Sequence, residues 1–154
     1  MARAKEMPVV QSVLDRLSEH QELPVTHAAS VRMLKESIRR DLEDLLNTRR
    51  QLNRELEGYK AARSSVVNYG LDDLNSITPV SRVNVQELQR AVHRCVLEYE
   101  PRLSDIAVSV EGGTDLLYRE IRLHIEATLP VYPSAEIVSF DTMLDLASGT
   151  YSVG

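Results

Sequence analysis

Cysteine is almost missing from this chain. Cys95 stands alone, which excludes an internal disulfide and fits a reducing compartment such as the cytoplasm. Aromatics are few: six Tyr, one Phe and no Trp. A sugar or base-stacking site lined by rings therefore has little to be built from. Lysine is also scarce, with Lys5, Lys35 and Lys60 set against fifteen arginines. Arginine supplies a planar, multi-donor fork suited to shaped polar contacts, whereas lysine is the usual solubilising cation. No apolar run approaches the roughly 18–20 residues of a membrane span, so no membrane insertion is expected. Asp15, Arg16, Glu19 and His20 interrupt any secretory leader core.

Chemical motifs are equally sparse. The glycines at 58, 70, 112, 113, 149 and 154 form no phosphate-binding loop, and there is no G-x-S-x-G elbow. His20, His27, His93 and His124 lie far apart with no local ligand spacing, so neither a metal nor any other cofactor is expected. Carboxylate pairs such as Glu43 with Glu100 could be drawn from any chain holding 23 acidic residues, so no catalytic residue is assigned. The net charge of −5 argues against a general nucleic-acid binder, which needs a basic surface to displace counterions.

What is present suits one soluble domain of 154 residues. Residues 1–7 read as a loose arm. After Pro8, the spacing of Val9, Val10, Val13, Leu14 and Leu17 predicts a short amphipathic helix. Val31, Leu34, Ile38, Leu42 and Leu45 form a stripe that predicts a second helix, capped by Thr26 and ending near Asn47. Residues 48–65 are polar and lack apolar periodicity, so they read as an exposed connection. Gly70 marks a tight turn, with a short helical turn at Asp72–Asp73. Asn84 and Glu87 have capping-box spacing and predict a third helix running to Tyr99, with Leu88, Val92, Cys95, Val96 and Tyr99 facing inward.

Beyond Pro101 the period changes from 3.6 to 2. Ile106, Val108 and Val110 alternate with small residues, Gly112-Gly113 predicts a hairpin turn, and Ile121–Leu129 alternates strictly. Val138–Leu146 supplies a further strand, with a short last one at Tyr151 and Val153. The expected fold is α+β: three main helices, then an antiparallel meander of three to four strands, with the helices packed on one sheet face.

Glu100-Pro101-Arg102-Leu103 sits at the seam between the third helix and the first strand. Arg102 could cap the last helical carbonyls. Alternatively, Pro101 holds Glu100 and Arg102 for a bidentate contact with another chain.

Four segments in order resemble one family. They are Ser12–Leu17, Asp41-Leu42-Glu43-Asp44-Leu45-Leu46-Asn47-Thr48-Arg49-Arg50, Ser65-Val66-Val67-Asn68-Tyr69-Gly70-Leu71-Asp72-Asp73-Leu74, and Glu100-Pro101-Arg102-Leu103. The chain resembles the TssE family of type VI secretion baseplates, shared with the small wedge protein of contractile phage tails and often labelled lysozyme-like. Asp72 stands where a Pro is common in that family. The resemblance implies a non-enzymatic structural part in a cytoplasmic baseplate at the inner-membrane face. It implies TssF, TssG and TssK as wedge partners and TssB/TssC as sheath partners. It also implies a fold similar to the sheath subunit's interlocking domain, with a sheet edge near Ile137–Leu146 or on a neighbouring strand open to added strands. The partner-binding residues it suggests are Glu100, Pro101 and Arg102, with Arg49 and Arg50 as a further surface. The lysozyme label leaves peptidoglycan hydrolysis as the alternative.

Overall fold

Helix α1, His27–Asn47, forms where the apolar stripe places it. Thr26 is extended and its Oγ1 accepts from the Ala29 N–H at 3.2 Å, giving the expected N-cap. Val31, Leu34, Ile38, Leu42, Leu45 and Leu46 are buried. On the wet side, Arg39 pairs with Glu36 at 2.9 Å and with Glu43 at 2.8 Å. Thr48 ends the helix by donating both its N–H and its hydroxyl to the Asp44 carbonyl.

The computed structural model describes residues 13, 17, 26–50, 58–63, 65–72, 82–115, 120–132 and 134–154. The helix predicted after Pro8 lies outside them, except for Val13 and Leu17, which are helical and exposed. Of the three main helices expected, two long ones stand among the described residues.

The polar stretch after Asn47 is more than a connection. Arg49–Arg50 (β1) pairs in parallel with Leu71–Asp72 (β2). Asp72 therefore lies in a strand where a helical turn was expected. Between them come a short helix α2, Lys60–Arg63, and a 3-10 turn, Val66–Asn68. Gly70 has φ +107, and a Cβ there would collide with the Thr48 carbonyl. Only glycine lets the two short strands approach this closely.

Helix α3 spans Arg82–Tyr99 and buries Leu88, Val92, Cys95 and Val96, with Tyr99 packed beside them. It is already helical at Arg82, so Asn84 lies inside the first turn and is not the cap. The i, i+3 spacing of a capping box also occurs within any helix, which explains the misassignment. The Glu100 N–H closes the last turn on Val96 at 2.9 Å, and Pro101 stops it there.

The four-stranded antiparallel sheet has the order β3-β4-β5-β6, formed by Ser104–Asp115, Glu120–Leu129, Glu136–Asp145 and Thr150–Val153. Its inner face carries Val108, Ile125 and Phe140 in one cross-strand row, and Leu123, Thr142 and Val153 in another. These residues share one core with the buried stripes of α1 and α3, so the helices cover one sheet face as expected. Gly112-Gly113 does not make the hairpin turn: both residues lie within β3, where the register shifts between Glu111 and Asp115. Glycine in a strand marks a bulge as readily as a turn. A second register shift, between Ser104 and Ala107, surrounds Asp105, which adopts φ +50.

Candidate functional site

The Glu-Pro-Arg seam is built inward. Glu100 is only 4% exposed. Its carboxylate takes the Arg102 fork through Nε at 2.6 Å and Nη2 at 2.5 Å, and it accepts the Arg102 backbone N–H at 3.3 Å. The same guanidinium reaches Asp41 at 2.5 Å and the Ser37 hydroxyl at 3.4 Å, both on α1. Arg102 therefore ties the end of α3 to the middle of α1. The side chain is 28% exposed, and its hydrogen bonds to Glu100 and then Asp41 hold the guanidinium protonated well above its usual range. The fork makes carboxylate contacts, not the helix-carbonyl cap that sequence allowed. Pro101 is exposed at the tip of the turn.

The other two motif segments in the described region form a second joint. Leu71 donates its N–H to the Thr48 carbonyl at 2.9 Å. The Cys95 thiol points to the Gly70 carbonyl at 3.4 Å, and Tyr69 meets Tyr99 edge-on with ring centroids 5.3 Å apart. Asn47 clips β6: its Nδ2 donates to the Tyr151 carbonyl and its Oδ1 accepts the Tyr151 N–H, each at 2.8 Å. Arg49 donates to the Gly149 carbonyl at the turn before β6. Arg49 is exposed and Arg50 half-buried. Of the five residues proposed from sequence, Glu100 and Arg102 are thus brought together with Asp41, while Arg49 serves a separate joint.

Sheet edges decide what another chain can reach, since unpaired main-chain groups invite strand addition. The first half of the β3 edge is occupied by side chains from α3: Gln89 Nε2 donates to the Val108 carbonyl at 2.5 Å, and His93 Nε2 lies 3.1 Å from the Ile106 carbonyl. The β6 edge is occupied from α1 by Asn47 and by Arg39, which donates to the Val153 carbonyl at 2.7 Å. One stretch differs. β6 pairs with β5 only along Thr142–Asp145, and Asp141 and Gly154 exchange both of their main-chain bonds beyond it. By strand alternation, the N–H and C=O groups of Ser139 and Ile137 point to the same side, past the end of β6. Among the described residues nothing pairs with them there. Ile137, 77% exposed, offers apolar surface at this open edge.

Sequence comparison then decides the family. A profile described as baseplate wedge protein gp25 matches residues 32–134. The chain belongs to this baseplate wedge family. The TssE resemblance read from the ordered motifs points to the same family. Comparison with curated protein sequences gives no match. Among solved structures, a chain of "The baseplate complex from the type VI secretion system" is similar with a TM-score of 0.51 and 18% identity. The match covers 71% of this chain and 93% of that one, and shows the fold. The region matching the wedge family begins within α1, runs through β4 and stops ahead of β5, so it holds the Asp41–Arg102 and Thr48–Leu71 contacts but not the open edge.

Proposed function

We propose that this chain is a non-enzymatic structural component of a type VI secretion baseplate, docked in the wedge with TssF and TssG and joined to the TssB/TssC sheath by strand addition. The observation that carries the sheath contact is the open edge of β5 at Ile137 and Ser139, while helix side chains take main-chain groups on β6 at Tyr151 and Val153 and on β3 at Ile106 and Val108. An added strand there would extend the line of β6 and satisfy main-chain groups that face solvent. The wedge contact falls on the exposed Pro101 turn, with Arg102 holding that turn rigid from beneath and Arg49 and Arg50 as a flanking surface. The same reading includes TssK among the neighbours and a cytoplasmic position at the inner-membrane face.

Hydrolysis of peptidoglycan is the weaker reading. Both oxygens of Glu100, one of the two carboxylates of the example pair, are held by Arg102, whereas a general acid has to present a protonated carboxyl to its substrate.

Two exposed substitutions separate the contacts. Pro101→Glu is expected to shift stability by less than about 1 kcal/mol while weakening copurification with TssF and TssG. Ser139→Pro removes an outward-facing N–H and leaves the ladder to β4 intact. It is expected to weaken capture of sheath protein and spare the wedge proteins. Undiminished capture by both variants would overturn the proposal, as would glycan release by the purified chain that Glu100→Gln abolishes.

A further inference from the structure

The outer face of the sheet turns its polar residues to solvent, and register brings three of them together. His124 on β4 stands directly opposite Asp141 on β5. Its other neighbour in that row is Ser109 on β3, and Glu111 follows two residues along the same strand. His124 Nδ1 lies 2.7 Å from Asp141 Oδ1. One donor atom from each of Glu111, His124 and Asp141 lies within 4.8 Å of the others. We propose that these three side chains bind a divalent transition-metal cation of the zinc type on the outer face of the sheet.

The geometry fits such an ion. Ligands at about 2.0–2.2 Å from a tetrahedral centre stand roughly 3.3 Å apart. The His124–Asp141 spacing of 2.7 Å is somewhat shorter and no spacing exceeds 4.8 Å, and the 80% exposed Asp141 side chain has room to adjust. The backbone beneath is already fixed: β4 is paired on both sides, and the Asp141 N–H and C=O are both held by Gly154. Imidazole with two carboxylates selects zinc, cobalt or nickel over the harder magnesium and calcium, which prefer all-oxygen shells. The ion would replace the proton between Nδ1 and Oδ1, and solvent would complete its coordination. Glu126, also outward on β4, adds negative charge nearby, while Arg122, in register with Glu111, is the cation the ion must compete with.

No local ligand spacing could reveal this cluster, because its members are brought together by strand register. Bound there, the ion would staple β3, β4 and β5 across the outer face. Asp141 also marks where the β5 edge becomes open, so the staple would stiffen that edge.

The test uses the full chain stripped of metal by a chelator and titrated with Zn²⁺ against a chromophoric competitor. Saturable one-to-one binding in the micromolar range is expected, with a rise in the thermal midpoint. Co²⁺ should give an absorption spectrum with an imidazole ligand, and Mg²⁺ should do neither. His124→Ala and Asp141→Asn should each weaken Zn²⁺ binding at least about tenfold, and His93→Gln should leave it unchanged. Absence of saturable binding would overturn the assignment, as would binding that survives His124→Ala or is lost in His93→Gln.

Discussion

Arg102 shows how much one side chain carries in this molecule. It neutralises a buried carboxylate, Glu100, and anchors the seam to Asp41, which lies 61 positions earlier. Arg102→Ala would leave Glu100 charged and unpaired in the interior, at a cost of about 3–5 kcal/mol. Adding Glu100→Gln should recover part of that loss, and urea midpoints of the single and double variants measure the recovery. Thr142 is a smaller case: its hydroxyl is buried on the core face with no hydrogen-bond partner among the described residues. Thr142→Val should therefore stabilise the chain by about 1 kcal/mol, read in the same denaturation series. Gly70→Ala combines a positive φ with a collision against the Thr48 carbonyl. It should destabilise by about 2 kcal/mol or more. Sequence singled out Glu100, Arg102 and Gly70. It could not show that the first two point inward, because Asp41 becomes their neighbour only after α1 and α3 pack.

At the scale of elements, the short strand β6 depends on α1. Asn47 satisfies both main-chain groups of Tyr151, and Arg39 takes the Val153 carbonyl. Asn47→Ala should cost about 1–3 kcal/mol by leaving those groups without protein partners. Amide exchange in β6 should accelerate more than in β4, which is paired on both sides. The strands themselves were legible. Alternation at Ile121–Leu129 and Val138–Leu144 reports a one-sided environment directly. The turn assigned to Gly112-Gly113 and the cap assigned to Asn84 failed for a shared reason: each rests on a short local pattern that a bulge or a helix interior also satisfies. The contacts of Gln89, His93, Asn47 and Arg39 with main-chain groups of β3 and β6 left no sequence signal, since they join residues up to 114 positions apart.

At the scale of the whole molecule, the described residues form a two-layer plate. Helices α1 and α3 cover one sheet face, the other is mostly polar, and side chains from the helices take main-chain groups at Ile106 and Val108 of β3 and at Tyr151 and Val153 of β6, but none along Ile137–Ser139 of β5 among the described residues. The family was legible because its ordered motifs form the internal joints of this plate: the Asp41–Arg102 link and the Thr48–Leu71 contact are both made by motif residues. Those joints preserve the shape, while the surface proposed for the sheath lies beyond the region that matches the wedge family. The most direct measurement is amide hydrogen exchange at Ile137 and Ser139 in the isolated chain and in the assembled baseplate with sheath. The account predicts fast exchange at both amides in isolation and strong protection on assembly, with little change in β4. Equal, fast exchange at these two amides in both states would contradict docking through the open edge of β5.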